Sequence, residues 1–457
     1  MKNEHDKQPG LENQTDCDTT ESPPEHTSPT TTPGPDVAYL SGGMGGGAVS
    51  WAGLRTFESL KSPVFRLYYA AMLGQMAAMN MQMFARSFLI FELTSSYTIL
   101  GVMALANAVP MLMFSLFGGV IADRVRKKHV LIVGQASSAA ITLVIAVLLS
   151  LNFMNADQPN SWWPLLVASL FQGTIMGLMM PSRQAMIAEL VGNEQLMNAV
   201  ALNTLGMNVF RILGPAIAGI TVAMFGYDVV YYMMTAMYLI AVFFIMLMPL
   251  TGTMSIKGRG ALGDMLDGLK YVRNERIIWI ILIVTLLTVL FSMPYMMLLP
   301  GFAVDVLDVG EEGGGLLMTI SGVGAMIGSL ILASLPNKKR GLMLMGGSLL
   351  LGVALIGFSA STSFNISLVM MVFVGLGQTA RMTLGNTLLQ YYVVDEYRGR
   401  VMSLYFMEFG LTSFSVFFAA LVAERIGPQW AVGGLAVLLV ILCIWVILFV
   451  PSIRKLD

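Results

Sequence analysis

Histidine, cysteine and charge are all scarce in this sequence of 457 residues. Its three histidines are His5 and His26 in a polar N-terminal stretch and His129 in a basic run. No apolar segment therefore carries an imidazole for metal ligation or proton relay, and any buried proton carrier has to be a carboxylate. The two cysteines, Cys17 and Cys443, lie in a polar tail and in the last apolar run, which excludes a disulfide framework. Charged residues make up 12% of the chain, against about a quarter in soluble domains, which excludes an ordinary soluble globule.

Several chemistries are missing as well. There is no glycine-rich loop ending in Lys-Ser/Thr to cradle nucleotide phosphates, so the chain is not by itself an ATP-driven pump. It has no HExxH motif and no Ser-His-Asp grouping, which argues against an enzyme; no cofactor or metal is expected. With a net charge of −1 and no basic stripe clear of the apolar segments, nucleic acid is not expected as a partner.

What remains is hydrophobic: 56% of residues, with a mean hydropathy of +0.73. Runs long enough to cross a hydrocarbon core of about 30 Å recur along the chain. They fall near 67–91, 97–121, 130–150, 163–187, 199–222, 229–250, 277–300, 314–334, 342–360, 365–388, 400–423 and 430–450. Peptide groups cannot stay unpaired in lipid, so these runs are expected to be helices, with the bilayer as the principal partner.

Outside the tail and the helix interiors, Lys and Arg gather on one side of the expected topology, with Arg425 as the exception. The opposite connections carry Asp157, Asp228, Asp305, Asp308, Glu311 and Glu312. By the positive-inside rule both termini are expected in the cytoplasm of a bacterial inner membrane.

The expected organisation has five parts. Residues 1–55, rich in Thr, Pro, Glu and Gly, form a disordered tail. A six-helix bundle follows over 60–250, then a linker over 251–276, a second six-helix bundle over 277–451 and a short C-terminus over 452–457. In the linker, Leu262, Met265, Leu266, Leu269 and Val272 recur at helical spacing, which predicts an amphipathic helix. A shift of 202 residues superposes Val191 on Val393, Glu194 on Glu396, Leu202 on Leu404, Phe171 on Phe373 and Gly173 on Gly375. Such duplication marks secondary transporters, whose halves rock about a site near the midplane.

Two motifs carry more specific expectations. GGVIADRVRKKHVL at 118–131 places small residues, an acid and then four cations at the end of the second helix. It resembles the loop 2–3 signature of the major facilitator superfamily, with Gly119, Asp123, Arg124, Lys127 and Lys128 on the pattern and Arg126 where a second glycine is usual. Asp123 can pair with a neighbouring arginine or cap a helix of the other half, closing an inner gate. RILGPAIAG at 211–219 resembles the exporter-associated Gly-Pro motif, matched by Arg211, Gly214, Pro215 and Gly219. FELTSSYTILG, PSRQAMIAELV and NAVALN look like the bacterial branch of enterobactin, macrolide and multidrug exporters. The resemblance implies an all-α membrane protein with the major facilitator fold, twelve transmembrane helices in two pseudo-symmetric six-helix bundles. It also implies proton-linked efflux of small amphipathic molecules such as siderophores or macrolides; a monomer is expected. Uptake, lysophospholipid flipping on the same fold, or a transport-inactive scaffold or sensor are the alternatives.

Helices 1, 4, 7 and 10 line the path in that fold, and each shows a polar stripe at about 100° per residue. The stripes are Gln75, Gln82 and Arg86; Gln172, Met176, Met179 and Arg183; Thr288, Ser292 and Tyr295; and Gln378 with Met382. They read as a substrate cavity, or equally as interhelical hydrogen bonds. Glu408 is the one central acid, at the same depth as Arg381 on the neighbouring helix, and the pair is the candidate for proton coupling. The 37 methionines suit a promiscuous binding surface as well as core filling.

Overall fold

The computed structural model describes residues 59–158, 160–249, 261–335, 338–454 and 456. The expected tail, residues 251–260 of the linker and part of the C-terminus lie outside the described residues. So do the side chains of Gly119, Asp123, Glu194, Leu262, Met265 and Leu266.

The first half comprises α1 (Pro63–Thr94), α2 (Tyr97–Arg124), α3 (Lys127–Ser150), α4 (Trp163–Phe225) and α5 (Tyr227–Leu247). A linker helix, α6 (Ala261–Asn274), leads to α7 (Arg276–Ser292), α8 (Pro294–Gly301) and a π turn at Phe302–Val306. The second half continues with α9 (Gly310–Ser334), α10 (Arg340–Ala360), α11 (Phe364–Tyr392), α12 (Asp395–Ile426), α13 (Pro428–Phe449) and the short α14 (Pro451–Arg454). Among the described residues, eleven segments are long and apolar enough to cross a membrane. The twelfth crossing is α1, whose 32 residues span about 48 Å. Gln75, Asn80, Gln82 and Arg86 lower its hydropathy, and α1 tolerates them because most of its residues are buried by other helices.

The spans expected over 163–187 and 199–222 are both present, and the stretch that joins them is helical as well. Helical backbone runs through all 63 residues of α4, yet α4 reverses direction. A straight helix would separate residues 183 and 202 by about 28 Å. Instead the adjacent side chains of Tyr68 and Tyr69 donate to the carbonyls of Arg183 (3.2 Å) and Leu202 (3.0 Å). The two legs, Trp163–Val191 and Asn198–Phe225, thus lie side by side. Ser59 ties the reversal down by bonding Asn198 Oδ1 through both its backbone N–H and its hydroxyl. Polar residues such as Asn193 and Gln195 continue the helical backbone here.

The segment expected as one helix over 277–300 is also divided, at Met293. Pro294 has no N–H, so the carbonyl of Leu290 loses its helical partner. The hydroxyl of Ser415 on α12 donates to that carbonyl instead. In lipid, such a substitute partner is what permits a proline break.

The duplication is visible in the backbone. Gly226 joins the second leg of α4 to α5 with φ 92 and ψ 171, and Gly427 joins α12 to α13 with φ 89 and ψ 156. That region is open only to glycine. Gly173 lies against the carbonyl of Asn107 on α2, and its repeat partner Gly375 lies against the carbonyl of Ser321 on α9. These small residues let backbones approach at matching crossings in the two halves.

The outer faces are apolar. On α13, Val437, Leu438, Ile441, Ile444, Trp445 and Leu448 are exposed at helical spacing. A surface of that kind suits hydrocarbon rather than water. The linker helix is held on the second half, where Tyr271 stacks on Tyr397 with ring centroids 4.2 Å apart and Val272 is fully buried. Leu269 on the same helix is exposed.

Candidate functional site

A cavity of about 200 Å³ lies between the halves. The first half contributes Met83, Arg86 and Ser87 from α1 with Ala104 and Asn107 from α2. The second half contributes Met293, Met296 and Met297 around the Pro294 break, Met318 from α9, and Thr412, Ser413 and Val416 from α12. Five thioethers, short polar groups and one guanidinium therefore surround a space that neither half encloses alone.

Cross-half contacts close the end of the molecule that carries the acidic connections. Tyr97 donates to Asp305 Oδ2 at 2.6 Å, and Tyr227 donates to Glu311 Oε1 at 3.3 Å. Glu424, at the end of α12, accepts from the backbone N–H of Thr98 at 3.0 Å and from the hydroxyl of Ser96 at 3.2 Å. A carboxylate of one half thereby caps the N-terminus of a helix in the other, where the helix dipole favours it. The Phe88 ring occupies the space above Gly314, and the Tyr97 ring that above Gly301. Thr319 of α9 donates to the Ile212 carbonyl at 3.2 Å, in the turn before Pro215.

The Gly-Pro segment sits between α1 and α9. Gly214 faces Asn80 of α1, whereas Gly219 faces Glu311 and Gly315 of α9. Arg211 lies close enough to Tyr295, in the other half, for its charge to act on it.

Of the residues expected to line a cavity, Arg86 does so. The remainder are distributed through the interiors of the halves. Gln75 donates to Met179 Sδ at 3.9 Å, and Gln172 donates to Ser138 Oγ at 3.4 Å. Gln82 accepts from Tyr238 at 3.1 Å and joins Arg86 at a small void of about 10 Å³ inside the first half. Met176 packs against the core near Met179, and Arg183 is buried beside Tyr68. In the second half, Thr288 bonds the Val284 carbonyl and Tyr295 bonds Ser321. Gln378 donates to Met293 Sδ at 3.4 Å, and the carbonyl of Met382 accepts from Tyr405. Ser292 is buried with a hydroxyl that bonds nothing among the described residues.

Arg381 and Glu408 are 1% and 5% exposed, and Glu408 is the one carboxylate in the fully buried class among the described residues. Glu408 Oε1 accepts from Thr285 on α7 at 2.6 Å. Arg381, Tyr405 and Glu408 lie close enough to one another to interact electrostatically. Among the described residues no salt bridge joins Arg381 to Glu408, and Nε and Nη2 of Arg381 have no hydrogen-bond partner.

At the basic end, Lys127 pairs with Glu189 of α4. Lys128 is buried and donates to the carbonyls of Met246 (2.9 Å) and Met248 at the end of α5. Both lysines therefore tie helices of the first half together. Arg124 is exposed, and Arg126 has an ordinary φ of −59 where the family pattern has glycine.

Sequence reasoning missed α2 and α12 as walls of the cavity. The spacing of Met293, Met296 and Met297 at i, i+3 and i+4 was the available signal, and it looks the same as core filling.

Residues 54–457 match the family described as transmembrane secretion effector. The staphyloferrin A transporter of Staphylococcus aureus is 26% identical over 72% of this chain and 81% of its own length. Macrolide efflux protein A of Streptococcus pyogenes is 22% identical over 85% and 97%. The multidrug efflux pump Tap of Mycolicibacterium fortuitum is 22% identical over 87% and 98%. Among solved structures, the nucleoside transporter NupG superposes with a TM-score of 0.66 at 13% identity, covering 84% of this chain and 98% of that one.

Proposed function

The chain belongs to the transmembrane secretion effector family, a branch of the major facilitators, and from that premise we propose that it exports small amphipathic molecules by alternating access in exchange for protons. It is a multi-pass membrane transporter and not an enzyme. The observation that carries the alternating-access reading is the cavity whose walls come from both halves, closed over at the acidic end by hydrogen bonds between the halves. Two rigid halves that share a site can expose it to each side in turn. The relatives named for staphyloferrin A transport, macrolide efflux and multidrug efflux support the outward direction. We place the chain in the bacterial inner membrane with the basic end in the cytoplasm, on the strength of the Lys and Arg distribution.

Glu408 is the proposed proton carrier. A buried carboxylate that bonds Thr285 of α7 and feels Arg381 of α11 can gain or lose a proton as those helices shift. Everted vesicles test the whole reading. Dye accumulation should collapse on dissipating the proton gradient and be lost in Glu408→Gln, with counterflow exchange of the dye retained. Accumulation that survives both treatments would sink proton coupling, and equilibration without a gradient would point to facilitation.

A further inference from the structure

Arg86 brings a full positive charge to the cavity between the halves, and no carboxylate among the described residues meets it there. Its Nη1 reaches Ser169 Oγ at 3.4 Å, and its Nε is buried without a hydrogen-bond partner. The other lining residues, from α1, α2, Met293 at the break, α8, α9 and α12, include no acid. Carboxylates deeper in the second half or nearer the acidic end are engaged elsewhere: Glu408 with Thr285, Asp305 with Tyr97, Glu311 with Tyr227 and Glu424 with the start of α2. Arg211, whose charge reaches Tyr295 of α8, is a second cation near this segment.

Removing a guanidinium from bulk water without an anionic partner is costly, and the attraction it exerts on an anion grows in the same low-dielectric surroundings. Its planar fork binds an oxyanion through two parallel hydrogen bonds. Asn107, Thr412 and Ser413 line the same space with short groups able to donate to further oxygens. Met293, Met296, Met297 and Met318 line the same space with polarizable thioethers that adapt to apolar or aromatic bodies. The same thioethers would suit a soft metal cation, but Arg86 in the wall opposes any cation.

We infer that the cavity binds an organic anion, with a carboxylate or related oxyanion on Arg86 and an apolar or aromatic body among the methionines. This specifies the substrate class of the exporter reading and rests on that reading for the identity of the site.

Fluorescein and rhodamine 6G share a fused aromatic body and carry opposite charge above neutral pH, which makes them a matched pair of probes. Equilibrium binding of each is measured by fluorescence anisotropy with the purified full-length protein. The wild type should bind fluorescein about ten-fold or more tightly than rhodamine 6G. Arg86→Gln should erase that preference, while Arg86→Lys, which keeps the charge and loses the fork, should retain part of it. Ser413→Glu should supply the missing carboxylate and turn the preference towards rhodamine 6G, a readout that does not depend on the folding of Arg86→Gln.

Displacement of bound fluorescein by salicylate assigns the site to soluble organic acids, and displacement by lysophosphatidate alone assigns it to a lipid headgroup; both outcomes uphold the oxyanion. Equal or tighter binding of rhodamine 6G by the wild type, an unchanged preference in Arg86→Gln, or binding of neither dye would overturn it. Proton-driven movement of rhodamine 6G without fluorescein binding would leave the exporter reading standing and remove this one. Fluorescein binding without any movement would do the reverse.

Discussion

The hydroxyl of Ser415 on α12 satisfies the carbonyl of Leu290 on α7, the group that Pro294 leaves without a helical partner. The break beside the cavity is therefore held by a second helix of the same half, and Met293, Met296 and Met297 are presented to the cavity from either side of it.

Ser415→Ala should lower stability by about 1 kcal/mol, the scale of an interhelical hydrogen bond in a membrane protein. Pro294→Ala restores the backbone donor, so in its presence the cost of losing Ser415 should shrink. Thermal unfolding of the two single mutants and the double mutant in detergent measures the coupling. Strict additivity would show that the Ser415 bond does not serve the Pro294 break.

Tyr97→Phe removes the bond to Asp305, and Glu424→Gln weakens the cap on α2. Each should shift the population towards opening of the acidic end, by about five-fold for a loss of 1 kcal/mol. Faster alkylation of a cysteine introduced at Ser87, applied from the acidic side, reports the shift. Unchanged labelling in both variants would mean that these bonds do not hold the gate.

Gly314→Ala should act in the same direction by a steric route, because a Cβ there would overlap the Phe88 ring. Truncating the ring with Phe88→Ala should relieve the clash, so the double variant should label more slowly at the acidic end than Gly314→Ala alone. A double variant that labels as fast as the single one would place the cause away from this contact.

Lys128→Met should destabilise the first half by about 1–3 kcal/mol, since it leaves two carbonyls at the end of α5 without their charged donor. Lys127→Met, whose pair with Glu189 is more exposed, should cost less than about 1 kcal/mol. Denaturation midpoints of the two variants test the ordering, and equal effects would contradict it.

The architecture was legible because the bilayer imposes a coarse code: span length, charge sidedness and a long repeat survive without knowledge of side-chain contacts. Gly173 and Gly375, paired by the repeat, do occupy matching crossings. The two departures, at the reversal of α4 and at Met293, arise where tertiary bonds from Ser59, Tyr68, Tyr69 and Ser415 decide the backbone. Local sequence cannot register partners that distant.

The cavity was less legible for a related reason. A polar stripe on a helix marks a face that meets another polar group, and Gln75, Gln172 and Gln378 each meet a neighbour inside their own half. Methionines, which supply much of the actual wall, carry no polarity to set them apart from core residues. Arg86 stands out in the sequence because charge at depth is conspicuous whichever contacts it makes.

The two-sided wall of the cavity also sets a ceiling on useful affinity. A compound that touched both walls strongly would favour the conformation closed at the acidic end, and the cycle would have to break those contacts before release. The tightest ligands of this site would therefore act as inhibitors, and the compounds it moves fastest would be those that grip one wall better than the other.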